Sequence, residues 1–97
     1  MAPPLRPDEN VLIGRWQNTP GGIVGDEVTK RIRSLVANSL VKVATDRTGW
    51  DTLYRDPKDN RLWELTYPQS ESQGGGPPQL EHITAEHASQ KYGGIGL

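Results

Sequence analysis

Between Asp26 and Val36 the apolar residues Val28, Ile32, Leu35 and Val36 recur at i, i+4, i+7 and i+8, which predicts one amphipathic helix of about three turns. Asp26 is placed to cap it, and Glu27 falls in its positive first turn. Lys30, Arg31 and Arg33 lie off the apolar stripe and read as a solvated face. Elsewhere the pattern shifts toward period two. Val11–Trp16 is a β-prone run closed by the turn-rich Gln17–Gly22, and Ile23-Val24 can pair back on it as an N-terminal hairpin. Leu40–Ala44, with Val41 and Val43 on one face, reads as a strand, and Asp46–Gly49 turns the chain into another at Trp50–Arg55. From Leu62 to Tyr67, Trp63, Leu65 and Tyr67 alternate with Glu64 and Thr66. Pro57 presets φ in the intervening turn and Asn60 tolerates the left-handed region, so an antiparallel hairpin follows. After the Gly74–Pro78 loop, Leu80–Ile83 suggests a last strand, and Thr84 can cap a short helix over 85–92 that stops at Gly93-Gly94.

The expected fold is therefore α+β. A small antiparallel sheet of about four to six strands carries one main helix and a short C-terminal helix, both on one face. Residues 1–10, with three prolines and mixed charge ahead of any apolar pattern, read as a loose arm, and 11–97 as a single globular domain.

Composition narrows the function classes. In 97 residues only 33% are apolar and none is Phe, so Trp and Tyr must supply much of the core. The absence of Cys excludes disulfides and thiolate metal sites. A formal charge of −1 offers no field to draw the chain onto nucleic acid or an anionic membrane. The charge is uneven: residues 1–44 carry +2 and residues 45–97 carry −3, so the C-terminal half suits a basic partner. Neither a signal-peptide pattern nor an apolar run of membrane-spanning length is present, which makes the cytoplasm the expected compartment.

Several residue groups invite a chemical reading. His82 and His87 are five apart across a strand-to-helix boundary, not the i, i+4 spacing that puts two imidazoles on one face for zinc. Asp51, Asp56, Asp59 and Glu64 have the chemistry of a general acid–base pair, but such residues also serve as solvated hairpin groups, and so small a core leaves little room for a deep cleft. Gly74-Gly75-Gly76 resembles an anion nest, yet the phosphate-loop contexts are missing and two prolines follow at once, which favours a crossing loop. Ser70 and Ser72 have no base nearby. Trp50, Tyr54, Trp63 and Tyr67 read either as a sugar-stacking platform or as core. Core is the better reading for Trp63 and Tyr67, and less clearly so for Trp50. No cofactor, metal or catalytic residue is expected.

The segments GRW at 14–16, VGDE at 24–27, RI at 31–32, GWDTLYRDP at 49–57, RLWELTYPQSE at 61–71, GGGPP at 74–78 and KYG at 91–93 resemble, in this order, the immunity protein 27 family of bacterial polymorphic-toxin systems. Asn60 stands where that pattern leads one to expect glycine. The resemblance implies a protein without enzyme activity that binds and neutralises a cognate toxin encoded beside it. A rigid hairpin suits such a role, because tight inhibition needs preorganised anchors. The expected partner-binding residues are Trp50, Asp51, Arg55, Asp56, Asp59, Arg61, Glu64 and Glu71, with the carboxylates standing in for substrate phosphate in a basic channel of the toxin. A glycan- or ligand-binding module using the Trp/Tyr-rich hairpin face is the alternative.

Overall fold

The computed structural model describes residues 4–68 and 76–93. Helix α1 (Glu27–Asn38) begins as its sequence dictates: the Asp26 carboxylate accepts a hydrogen bond from Thr29 N at 2.8 Å, satisfying a first-turn N–H that has no intrahelical acceptor. It ends where Ser39 N and Leu40 N both donate to Leu35 O. Ile32 and Leu35 on its stripe are fully buried, with Val28 and Val36 packed beside them.

Five strands form one antiparallel sheet. In spatial order they are β1 (Val11–Ile13), β7 (Gln79–Ile83), β6 (Leu62–Thr66), β5 (Thr52–Arg55) and β4 (Val41–Thr45). A separate hairpin pairs β2 (Trp16–Thr19) with β3 (Gly22–Gly25). The α+β architecture is as the sequence predicts, and Ile23-Val24 does pair back in a hairpin, but its partners are Asn18 and Gln17, expected in the turn, because the run Val11–Trp16 is not one strand. It divides at Gly14, whose N–H donates to Pro78 O, while Arg15 N turns instead to the side chains of Asp26 and Thr29. Thr29, fully buried, also donates its hydroxyl to Arg15 O, so a helix residue fastens the base of the hairpin. Glycine is required at both ends of that contact. A Cβ on Gly14 would press on Thr29 Oγ1 and lie 2.7 Å from Pro78 O, and one on Gly25 would lie 2.6 Å from Thr29 Cγ2.

The alternation in β6 fills both of its phases. Trp63 and Leu65 join Leu5, Leu12, Ile32, Leu35, Leu40 and Leu80 under α1. Leu62 belongs to a second cluster with Leu53, Ile83 and Ala88, the last from helix α2 (Ala85–Tyr92). Successive strand side chains point to opposite faces, so the two helices flank the sheet on opposite sides rather than sharing the single face expected. Trp63 is the largest fully buried side chain; the Arg61 guanidinium lies 4.8 Å from its ring and the His82 ring 5.7 Å away. Its indole N–H has no acceptor among the described residues.

The expectation of a loose N-terminal arm fails for residues 4–10. Leu5 is 1% exposed and lies within the α1-side core. Around it Arg31 bonds both oxygens of Glu9 at 2.7 Å and Pro4 O at 2.8 Å, Lys58 Nζ donates to Leu5 O at 2.6 Å, and Arg61 donates to Glu9 O and Arg6 O. Pro7 and Asp8 turn the segment, with Glu9 N donating to Arg6 O, and three cations bind its carbonyls and its carboxylate.

Candidate functional site

The two ends of the sheet present different chemistry. At one end, the β4–β5 turn is organised by Asp46. Its Oδ1 accepts from Thr48 Oγ1 at 2.7 Å, Gly49 N at 3.0 Å and Asp51 N at 3.3 Å, and Thr48 Oγ1 accepts from Trp50 N at 3.1 Å. The Thr48 hydroxyl and these backbone N–H groups hold the Asp46 carboxyl below its ordinary pKa, the direction expected when hydrogen bonds favour the charged form. Gly49 supplies the φ of +80° that closes the turn. Trp50 projects from this clamp 64% exposed, beside an open cleft of about 420 Å³ that it shares with Asp51, Thr66, Tyr67 and Pro68.

Asp51 is tied inward. Lys91 of α2 bridges Asp51 Oδ2 at 2.7 Å and Glu64 Oε2 at 2.6 Å, and the Tyr92 hydroxyl donates to the same Glu64 oxygen at 2.8 Å. Burial works against the charge of Lys91, but its bonds to the two carboxylates prevail and its pKa is raised. Burial and the neighbouring Glu64 carboxylate likewise raise that of Tyr92.

At the other end, the β5–β6 turn is built on Asp56. Its Oδ1 accepts from Lys58 N at 2.9 Å, its carbonyl accepts from Asn60 N at 2.7 Å, and Asn60 adopts the left-handed φ of 64° that its residue type tolerates. Asp59 accepts from both Arg61 N and Arg61 Nε; burial opposes the charge on Asp59, yet those bonds keep its pKa below the ordinary value. Next to this turn an open groove of about 540 Å³ is lined by Arg55, Asn60, Arg61, Leu62, His82, Ile83, Thr84 and Ala85.

The seven described residues among the eight expected to bind a partner therefore do not form one surface. Trp50 and Asp51 lie at one end of β5, and Arg55, Asp59 and Arg61 at the other, about 13 Å away along four strand residues. Two expectations are corrected. Asp56 is 6% exposed because its carboxylate is spent inside its own turn, and Glu64 is 5% exposed because α2 covers it. Glu71, Ser70, Ser72, Gly74 and Gly75 lie outside the described residues. Trp63 is core, as expected, and Tyr67 packs half-buried against that core while lining the Trp50 cleft. The two histidines are apart in role, the His82 ring tilted against Trp63 and His87 exposed on α2. Among the described residues no group of three or more His, Asp or Glu side chains is placed to hold a metal, and no helix is long and apolar enough to cross a membrane.

Sequence reasoning missed the groove, which draws on residues from two hairpin strands, β7 and α2. The one signal available was the pairing of Leu62 and Ile83 as apolar ends of two predicted strands. It also missed the exposure of the apolar residues of the N-terminal hairpin, Ile23 at 69% and Val24 at 40%.

No curated protein and no solved structure matches this chain. The model of one protein family does, over residues 18–84, from the N-terminal hairpin through both sheet-end turns to the cap of α2. The match spans most of the chain, and the protein belongs to the family described as Immunity protein 27.

Proposed function

We propose that this chain neutralises a cognate toxin protein, encoded beside it, by binding over the toxin's active or substrate site with the Trp50 end of its sheet. Family membership supports an immunity role, and one observation carries the choice of surface: a tryptophan 64% exposed on a turn whose backbone is fixed by Asp46 and Thr48. Large aromatic side chains presented without conformational freedom make the best interface anchors, since burying them costs little ordering entropy. The Lys91 bridge to Asp51 holds the residue next to the anchor as well. Neutralisation on this reading is a binding event; no cofactor, nucleic acid or membrane takes part, and the encounter takes place in the cytoplasm. Carboxylate mimicry of substrate loses Asp56 and Glu64, so apolar anchoring carries the contact.

Full burial of the exposed part of the Trp50 ring is worth on the order of 2 to 4 kcal/mol. The test is to co-express the toxin domain encoded by the neighbouring reading frame and titrate it calorimetrically. Wild type should bind one to one with a Kd in the nanomolar range or tighter, about −12 kcal/mol, and Trp50→Ala should weaken it roughly 30-fold to 1,000-fold. A folded toxin domain that does not bind refutes the immunity reading, and an unchanged affinity in Trp50→Ala refutes the surface.

A second reading has one observation in its favour. Trp50 and Tyr67 line the same cleft, the arrangement a sugar ring stacks on. Quenching of tryptophan fluorescence by added sugars, abolished in Trp50→Ala, would select it.

A further inference from the structure

From the groove at the β5–β6 turn end we infer a second recognition site, for an acidic segment of a protein partner in which a carboxylate is flanked by bulky apolar side chains. The register places Arg55 opposite Leu62 and Leu62 opposite Ile83, so a guanidinium and two apolar side chains stand in one row across the α2 face of the sheet. Ala85, first residue of α2, extends the apolar floor. Three nitrogen-bearing side chains, Arg55, Arg61 and His82, line this groove of about 540 Å³, and among the described residues no carboxylate does.

Two of those three are already engaged. Arg61 is paired with Asp59 and donates from its other two nitrogens to Glu9 O and Arg6 O, while the His82 ring lies tilted against Trp63. Arg55 differs. Its hydrogen bond goes to the neutral Asn60 Oδ1 at 3.0 Å, and among the described residues no carboxylate forms an ion pair with it. A half-buried guanidinium whose charge is not matched at the mouth of an apolar groove is complementary to a carboxylate, which it can grip with two parallel N–H bonds. The groove is open at its sides, so a small free acid would leave much of its surface in water, whereas a segment of chain lies across it with apolar residues on the floor.

This reverses the sign of the partner expected from the acidic bias of residues 45–97. Four acids of that half, Asp51, Glu64, Asp59 and Asp56, are engaged within the fold, the first two by Lys91, the third by Arg61 and the last by the turn N–H of Lys58. The site lies at the opposite end of the sheet from Trp50 and stands or falls independently of the immunity surface.

The test uses the full isotope-labelled chain and two probes, the peptides acetyl-Leu-Glu-Leu-amide and acetyl-Leu-Gln-Leu-amide, followed through the amide chemical shifts of Leu62, Ile83 and Ala85. The Glu peptide should move these resonances and bind about tenfold or more tightly than the Gln peptide, the difference a charge-assisted pair makes. Arg55→Gln should make the two peptides equal, and Ala85→Leu, which fills the groove without touching Arg55, should weaken both. Equal binding of the two peptides to wild type overturns the inference, as does an absence of shifts up to about 10 mM peptide, a Kd weaker than any specific contact would give. So does 4-methylpentanoate binding as tightly as the Glu peptide, which would make this a small-acid site.

Discussion

Replacing Glu9 by Gln tests whether the N-terminal segment is part of the fold, and its pH dependence makes the test quantitative. The Glu9 carboxylate receives 2.7 Å hydrogen bonds from two nitrogens of Arg31, and a third bond at 2.8 Å from Arg6 N, at a site where its side chain is 11% exposed. The Arg31 bonds are the largest influence; burial opposes them, and the pKa settles at about 2 against an ordinary 4.5. At 1.36 kcal/mol per unit, the ionised form contributes about 2 to 3 kcal/mol of stability, the pairing being partly solvated. Because the folded pKa is depressed, the unfolded chain binds more protons between those two values. The contribution is fully present above about pH 4.5 and is lost as pH falls toward 2. Glutamine is isosteric with protonated Glu, so Glu9→Gln should cost about 2 to 3 kcal/mol at pH 7 and progressively less below pH 4.5. Urea unfolding of both proteins, read by tryptophan fluorescence at several values from pH 7 to pH 3, gives the difference directly. Asp26, Asp46 and Asp59 are also depressed but are common to both proteins and cancel. A difference under about 0.5 kcal/mol at pH 7, or one that stays constant down to pH 3, refutes the reasoning.

Leu5→Ala removes a fully buried side chain and should cost about 2 to 4 kcal/mol in the same urea assay; a loss below about 0.5 kcal/mol would return the segment to a loose arm. Gly14→Ala drives a methyl against Thr29 and Pro78 O and should cost about 1 to 3 kcal/mol, read as a fall in Tm, with an unchanged Tm showing that the neighbours give way freely. At Asn60, with its φ of 64°, alanine should destabilise by about 1 to 2 kcal/mol. Glycine should be near neutral, because relief at the backbone offsets the lost bond to Arg55. Equal stabilities for the two variants would deny that the turn conformation selects the residue.

What the sequence disclosed was what it encoded locally. Helix α1 needs only Asp26, Thr29 and an apolar stripe within twelve consecutive residues, and the β5–β6 hairpin only Pro57 and Asn60 between two runs, so both were legible. The split of Val11–Trp16 was not, because it is decided by β7 some seventy positions downstream: Val11 pairs with Glu81, and the chain past Gly14 is captured by Asp26 and Thr29. Leu5 was hidden for a related reason, being one apolar residue among prolines with no period to reveal a face.

The site was half legible on the same grounds. Trp50 sits in a turn whose hydrogen bonds all come from residues 46–51, and its exposure follows from that local clamp. Glu64 looked solvated because strand alternation sets it opposite to Trp63 and Leu65, but alternation names only the side of the sheet and not whether that side is wet. A second layer decides this, and here the layer is α2, whose eight residues bury only Ala88 fully. So small an apolar face signals weakly in sequence, yet its last turn brings Lys91 and Tyr92 onto the Glu64 carboxylate. A buried carboxylate must be paired to be tolerated. Once α2 supplied the pair, Asp51 and Glu64 became internal struts, and the hairpin was left to present an indole at one end of the sheet and, at the other, a guanidinium that no carboxylate among the described residues matches.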